Sequence, residues 1–245
     1  MCTVTWLEAG GGYHLFSSRD ELRTRGAAHP PRLHKTPAGH FLAPIDSDGG
    51  GTWIAVNDQG LGLTLLNDYE ADRGPGDFES RGLLVSRLAE AATPAEALAA
   101  LSGTGLERYR PFRLVVLAPG FGAEVRHWDG RSETGEPASV PPLLTSSSFD
   151  PAGADEARRR LLNRADGPLD VERLLGFHRS HQPARGPLSP CMHRDDARTV
   201  GFTHLEVTPE RAVMRYVDGP PCRGSVPAET VLDLELRRLP ASAGV

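Results

Sequence analysis

The sequence is poor in several residue types, and each shortage excludes a class of protein. Its 245 residues include three cysteines, Cys2, Cys191 and Cys222, which are too few for a disulfide framework. An odd number of widely spaced cysteines suits a reducing compartment, so we expect a cytoplasmic location. No apolar run approaches the roughly 20 residues that a membrane-spanning helix needs, and no membrane span is predicted.

Positive charge is almost entirely arginine, because Lys35 is the single lysine. The chain has 27 basic and 32 acidic residues and a net charge of -5, which argues against a general nucleic-acid-binding protein. The first 30 residues lack a basic start followed by an apolar core, so no signal peptide is predicted. We therefore expect Cys2 to become the amino-terminal residue once Met1 is removed.

Alternating and β-branched segments predict several hairpins. "CTVTWLEA" and "YHLFSS" pair across the glycines at 10–12, with Cys2 at the open end near Ser18 and Arg19. Further strands are predicted for "GTWIAVND", "GLGLTLLND", "FRLVVLA", "AEVRHWDG", "PPLLTSSSF", "RTVGFTHLEV" and "RAVMRYVDG".

Helical spacing separates these hairpins. It predicts helices at 81–90, 94–101, 150–163 and 170–178, with Thr93 as the N-cap of the second. The segment "ETVLDLELRRL" predicts a last strand or helix, and residues 26–51, rich in Pro, Gly and His, predict a long loop. Without an internal repeat or linker, residues 1–245 are predicted to form a single α+β domain.

A cysteine at the mature amino terminus carries a thiol and a free α-amine on one carbon. The α-amine titrates at about 7.7–8.0 and can take the proton of the thiol, so one residue supplies both nucleophile and base. Cys2 taken alone favours a frayed terminus, but the context changes this interpretation because Cys2 opens a predicted strand.

The opening "MCTVTW", followed by "YHLFSSRDE", resembles the NRDE family, also called the Transport and Golgi organisation 2 family. Members of that family begin with Met-Cys and carry Asn-Arg-Asp-Glu after the first hairpin, where this chain has Ser18-Arg19-Asp20-Glu21. The same opening is similar to choloylglycine hydrolases and penicillin V acylases, which are N-terminal nucleophile hydrolases that cleave amide C–N bonds. "GGGTWIAVNDQGLGLTLLNDY", "LLTSSSFD" and "SPCMHRDDARTVGFTHLEV" continue the resemblance in the same order.

The resemblance implies a four-layer αββα sandwich of the N-terminal nucleophile hydrolase type. Cys2 would then be the nucleophile at the end of a central strand, facing a cleft that residues 26–51 partly cover. Asp20 would hold the α-ammonium, and Arg19 would steer a carboxylate or lower the pKa of the thiol. A surface salt bridge is the alternative interpretation of the Arg19–Asp20 pair.

Three further residues match positions of the hydrolase site. Asn67 would donate to the oxyanion of the tetrahedral intermediate. Ser146 stands where the hydrolases have an oxyanion asparagine, and its shorter hydroxyl donates one hydrogen bond. Arg198 matches an active-site arginine. The alternatives are a turn for Asn67, a Ser-rich strand end for Ser146 and a surface arginine for Arg198.

Cysteine and histidine also occur together away from Cys2. His178 and His181 precede Cys191 and His193, but the spacing matches no familiar zinc motif. The sequence therefore predicts a buried Cys191 and a His193 that hydrogen-bonds a loop, with no metal and no cofactor. Cys222 receives no role.

Two functions from different classes follow. The first is a cysteine hydrolase or acyltransferase acting on a linear amide or thioester of a small molecule through an acyl-Cys2 intermediate. The second is a non-catalytic ligand-binding or trafficking protein for acyl-CoA, a lipid or haem. A glutamine amidotransferase is a weaker third hypothesis, because Cys2 is followed by Thr3-Val4 and not by the Gly-Ile that is usual in that class. The oligomeric state cannot be derived from the sequence.

Overall fold

The structure is a computed structural model that describes residues 2–71, 74, 76–136, 138–164, 167–223 and 229–237. Met1, whose removal the sequence predicts, lies outside these residues. Within them the chain forms four helices: α1 Arg81–Leu88, α2 Pro94–Ser102, α3 Pro151–Arg164 and α4 Val171–Arg179. The strands are β1 Cys2–Ala9, β2 Gly12–Leu22, β3 His29–Lys35, β4 His40–Ile45, β5 Ile54–Asn57, β6 Gly62–Asn67, β7 Phe112–Ala118, β8 Gly122–Trp128, β9 Glu133–Glu136, β10 Leu143–Ser146, β11 Ala197–Val207, β12 Arg211–Asp218 and β13 Glu229–Glu235.

The strands form two antiparallel sheets. The first has the order β10-β1-β2-β11-β12-β13, so the two amino-terminal strands lie near its centre. The second has the order β3-β4-β5-β6-β7-β8-β9 and follows the chain order. Because β1 lies between β10 and β2, a side chain at its first residue has a neighbour on each side.

Alternation along the strands separates the layers. On β7, Val115 and Leu117 belong to the core between the two sheets. Leu114 and Val116 point the other way and pack with α1 and α2. This period of two is the pattern of a strand that is buried on both faces.

The first sheet is covered on its outer face in the same way. Phe16 of β2 and Phe202 of β11 pack against Leu162 of α3 and against Leu174 and Phe177 of α4. Helices therefore lie outside both sheets, and the predicted four-layer αββα sandwich is confirmed.

The prediction of a long loop at 26–51 is wrong in its first part, because β3 and β4 form there. Pro30 and Pro31 are the reason that the sequence pattern did not predict β3. In the structure the pairing register with β4 shifts between His29 and Arg32, and both prolines lie within that shift. Since β3 is an edge strand, the missing amide protons cost no central ladder hydrogen bond. The remaining segment, after β4, is a turn.

The other predicted elements are confirmed to within a few residues. Gly10 and Gly11 close the first hairpin with φ values of 59° and 77°, which glycine adopts without strain. Thr93 caps α2 by accepting a hydrogen bond from the backbone N–H of Glu96. The last segment is a strand, and β9 was not predicted. No helix in the described part of the chain is long and apolar enough to cross a membrane.

Candidate active site around Cys2

The amino-terminal end of β1 brings three of the predicted site residues side by side. Cys2 pairs with Arg19 of β2 on one side and with Ser146 of β10 on the other. The sequence predicts that Cys2 lies near Arg19, and the ladder confirms this. The contact with Ser146 joins positions 144 residues apart, so it depends on the fold.

A cleft of about 410 Å³ opens at this edge of the sandwich. Cys2, Arg19, Asp20 and Asn67 all lie in its wall. The turn after β4 forms another part of the wall, so the C-terminal part of the predicted 26–51 loop does border the cleft.

The wall of the cleft is dense in charge of both signs but also has an apolar part. Its cations are Arg19, Arg25, Arg81 and Arg110, and the carboxylates that face it are Glu21, Asp46, Asp48 and Glu79. Trp53, Leu65 and Phe78 contribute apolar surface. The cleft therefore offers fixed polar partners next to a surface that an apolar group can cover.

Arg19 is held firmly within this wall. Its Nη2 donates to Asp46 Oδ2 at 2.5 Å and lies 3.4 Å from Glu21 Oε2, while its guanidinium stands 4.7 Å from the centre of the Trp53 ring. The residue is only 4% exposed. A buried guanidinium fixed by a carboxylate and an aromatic face is a positioned cation next to Cys2.

Asp20 faces a different environment. Its Oδ1 accepts a hydrogen bond of 2.6 Å from Thr199 Oγ1, and Arg158 Nη2 of α3 lies 3.9 Å from its Oδ2. Both charged side chains are fully buried. Burial raises the pKa of Asp20, and the charge of Arg158 opposes that rise.

The Cys2 thiol is not activated by its surroundings alone. Burial raises its pKa, and the charge of Asp20 raises it further. The positive charge of the amino terminus, the charge of Arg19 and a hydrogen bond from the backbone of Asp20 lower the pKa of the thiol without cancelling the rise. Chemistry at Cys2 therefore requires a base that takes the thiol proton during the reaction.

Two side chains near Cys2 are candidate hydrogen-bond donors. Asn67 is partly exposed in the cleft, and its Nδ2 donates to the hydroxyl of Tyr69 at 3.0 Å. Ser146 is 7% exposed, its Oγ is buried without a hydrogen-bond partner among the described residues, and Ser146 is not part of the described lining of the cleft. Its unused hydroxyl, on the strand position beside Cys2, is a candidate donor to a group bound at Cys2.

Arg198 lies further from this set. It pairs with Glu21 across the ladder between β11 and β2, and the described residues that line the cleft do not include it. Its catalytic role stays a prediction.

Sequence reasoning missed the residues that support the site. Asp46 lies in a turn, where a carboxylate is unremarkable, and Thr199 is one of many strand threonines. Arg158 did leave a signal, because Ala154, Arg158 and Leu162 are four residues apart and share the buried face of α3. A lone arginine on an apolar helix face predicts a buried partner.

His178, one of the histidines considered for a metal, is part of the helix–sheet interface. Its imidazole contacts Thr5 Oγ1 at 3.0 Å and Ser18 Oγ at 2.8 Å. Burial, aided by the charge of Arg158, lowers its pKa to about 3, so it is neutral at physiological pH. Both ring nitrogens are occupied by hydroxyls, which leaves neither for a metal.

Comparison with known proteins places this arrangement in context. The model of the Transport and Golgi organisation 2 family matches residues 1–148. The chain shows no significant match to a curated protein. Among solved structures it is similar to the C2A mutant of conjugated bile acid hydrolase from Clostridium perfringens, with a TM-score of 0.60 and 12% identity over 95% of this chain and 92% of that one.

A second similar structure is the N-acylethanolamine-hydrolyzing acid amidase orthologue of Caenorhabditis elegans, with a TM-score of 0.57. Its identity is 14%, over 92% of this chain and 94% of the other. At such identities the likeness establishes the fold, which is that of the N-terminal nucleophile hydrolases. The family match spans more than half of the chain and includes Cys2, Arg19, Asp20, Asn67 and Ser146. The chain therefore belongs to the Transport and Golgi organisation 2 family.

Proposed function

We propose that the protein is a cysteine hydrolase or acyltransferase that cleaves a linear amide or thioester of a small molecule through an acyl-Cys2 intermediate. The observation that carries this proposal is the position of Cys2. It opens a central strand at the wall of a cleft, paired with Arg19 on one side and with Ser146 on the other. The shared fold with two solved hydrolases supports it.

The proposed reaction begins with removal of Met1, which frees the α-amine of Cys2. That amine takes the thiol proton, and the thiolate attacks the carbonyl carbon of the substrate to form a tetrahedral oxyanion. The intermediate collapses when the C–N or C–S bond breaks, and the leaving amine or thiol takes the proton from the α-ammonium. Water, or an acceptor amine, then attacks the thioester and regenerates the Cys2 thiol.

The raised pKa of Cys2 fits this sequence of proton transfers. A thiol that stays protonated at rest is unreactive until a base acts on it, and the α-amine is the base on the same residue. Asp20 would hold the ammonium form that results. Arg19 would orient an acidic or carbonyl group of the substrate from the opposite side of the strand pair.

Asn67 and Ser146 are the proposed oxyanion donors. Asn67 is supported by its place in the cleft wall, and Ser146 by its unpartnered Oγ among the described residues and its pairing with Cys2. Arg198, outside the described cleft wall, is retained as an accessory residue, and its substitution is compared with that of Arg19. The charged and apolar portions of the cleft wall favour a substrate with a polar group beside an acyl chain.

One observation favours the alternative, a non-catalytic protein that binds acyl-CoA, a lipid or haem in the same cleft. Ser146 occupies the position at which related hydrolases carry an oxyanion asparagine, and losing a donor can cost roughly 10²–10³ in rate. A binding protein has no need to lose Met1, so the state of residue 1 distinguishes the two functions.

The decisive experiment is intact mass analysis of the purified protein before and after reaction with an electrophilic thiol probe. We expect a mass that lacks Met1, and faster labelling of Cys2 than of Cys191 or Cys222 in a peptide map. Cys2→Ser should abolish turnover of a panel of acyl amides and thioesters while the unfolding midpoint stays unchanged. Retained Met1, or equal turnover by Cys2→Ser, would transfer support to the binding function.

A further inference from the structure

Four metal-ligating side chains, none of them in the described lining of the cleft, converge on one point. They are His181, Cys191, His193 and Cys222, and one ligand atom from each lies within 4.8 Å of all the others. His181 follows the end of α4, Cys191 and His193 precede β11, and Cys222 lies in a short turn after β12. Folding therefore gathers them from three segments of the chain.

The distances between these side chains agree with the edges of a tetrahedral zinc site. Cys191 Sγ lies 3.6 Å and Cys222 Sγ lies 3.5 Å from His193 Nε2. With Zn–S bonds of about 2.3 Å and Zn–N bonds of about 2.0–2.1 Å, a tetrahedral angle separates a sulfur and a nitrogen ligand by about 3.6 Å. Both sulfurs thus stand at ligand distance from the same imidazole nitrogen.

His181 supplies a second, independent observation. Its ring meets that of His193 edge-on, with centroids 5.0 Å apart. Its Nε2 is buried and has no hydrogen-bond partner among the described residues, although the side chain as a whole is partly exposed. A buried ring nitrogen without a partner, on a histidine that also offers a ligand atom to the cluster, is a group that lacks a contact.

We propose that His181, Cys191, His193 and Cys222 bind one Zn²⁺ ion. Two thiolates and two imidazoles form a soft S₂N₂ set, which selects zinc over the hard cations Mg²⁺ and Ca²⁺. Binding releases the two thiol protons, and the resulting thiolates balance the charge of the ion. Four protein ligands leave no open position, so the site is structural and adds no catalytic metal to the chemistry at Cys2.

One contact must change when the ion binds. Arg185 Nη2 lies 3.4 Å from His193 Nδ1 and donates to it. A neutral imidazole that binds zinc through Nε2 carries its proton on Nδ1, so Arg185 has to move away. Because Arg185 is exposed, this costs little packing.

The zinc site would stabilise the segment between α4 and β11, which contacts the residues around Asp20. The backbone N–H of Met192, between the two central ligands, donates to Thr199 Oγ1 at 2.8 Å, and that hydroxyl donates to Asp20 Oδ1. Arg158, which faces Asp20, donates to the carbonyl oxygen of Ser189 in the same segment at 3.1 Å. Zinc would therefore stabilise the loop that contacts Thr199 and Arg158, two residues that hold Asp20.

The test is the zinc content of the full chain, measured by elemental mass spectrometry after purification under reducing conditions and after incubation with ZnCl₂ and desalting. We expect about one zinc ion per chain and a higher unfolding midpoint than in the chelator-treated protein. Co²⁺ in place of zinc should give the intense visible bands of a tetrahedral thiolate site. Cys222→Ser and His181→Asn should each weaken zinc binding at least about tenfold.

Matched controls are Cys2→Ser, which removes a cysteine outside the cluster, and His29→Asn, which removes an exposed histidine on an edge strand. Both should retain the zinc content of the wild type. If Cys222→Ser fails to fold, His181→Asn and the chelated wild type give the same readouts. Zinc below a tenth of one equivalent in the reduced wild type, or an equal content in Cys222→Ser, would overturn the proposal, as would a Cys191–Cys222 disulfide that persists under reduction.

Discussion

Arg19 and Asp20 are adjacent on β2 and serve opposite sides of the sheet. Arg19 reaches Asp46 and the Trp53 ring on the side of the cleft, whereas Asp20 meets Arg158 of α3 on the helix side. This division follows from the alternation of side chains along a strand. Next to Cys2, β2 therefore presents a fixed cation to the cleft and a buried carboxylate to the helix layer, and the proposed reaction uses both.

Replacing Arg19 by lysine tests whether its geometry matters as well as its charge. Lysine keeps one positive charge but loses the planar contact with Trp53 and the guanidinium hydrogen bonds. We expect kcat/KM for the best substrate of the amide and thioester panel to fall by about 10- to 100-fold in Arg19→Lys. Arg198→Lys, outside the described cleft wall, is the matched control. An equal loss in both variants would remove the distinction drawn between the two arginines.

Ser146→Ala separates catalysis from stability. The Ser146 hydroxyl is buried without a partner among the described residues, so its removal should leave the free energy of unfolding unchanged or slightly higher. Turnover should fall by roughly 10²–10³ if this hydroxyl donates to the oxyanion. Urea unfolding and steady-state kinetics on the same preparation measure both quantities. Full turnover by Ser146→Ala would assign the donor role elsewhere.

Removing one partner of the buried Asp20–Arg158 pair should lower the free energy of unfolding more than replacing both partners. Arg158→Met leaves the Asp20 carboxylate without its cation, and we expect a loss of about 3–5 kcal/mol in the free energy of unfolding. The double variant Asp20→Asn/Arg158→Met removes both charges and should recover a large part of that loss. A double-mutant cycle by urea unfolding measures the coupling. Strict additivity would mean that the two groups do not interact.

Asp46 should make stability depend on acidity. Burial raises its pKa, but a hydrogen bond from the Gly49 backbone and the charges of Arg19 and Arg25 outweigh this, so the pKa lies below its ordinary value. A lowered folded-state pKa stabilises the protein above the unfolded value of about 3.9, and the contribution is lost as the pH falls through the folded value.

The corresponding variant is Asp46→Asn. It should cost about 1–2 kcal/mol of unfolding free energy at neutral pH, and the gap to the wild type should narrow below about pH 4. Urea unfolding at a series of pH values gives the difference, with Asp77→Asn, an exposed carboxylate, as the control. A gap that widens on acidification would contradict the assigned ion pairs.

The local features of this chain were readable from the sequence wherever neighbours in the chain decide the structure. The hairpin that begins at Cys2 is set by alternation and by two glycines, and the start of α2 is set by Thr93 and Pro94. The loop prediction for residues 26–51 was wrong because proline usually indicates a break in a strand, whereas an edge strand accommodates proline. The sequence pattern could not report which strand lies at an edge.

The sequence by itself determined the layered α+β plan and the position of a cysteine at the start of the first strand. Only the tertiary structure decided what surrounds Cys2. Ser146 beside Cys2, Arg158 behind Asp20, and Cys222 beside His193 are contacts between residues 29 to 144 positions apart. Such contacts depend on how the sheets and helices pack against each other. Burial then determines which polar groups form hydrogen bonds and which keep an atom without a partner.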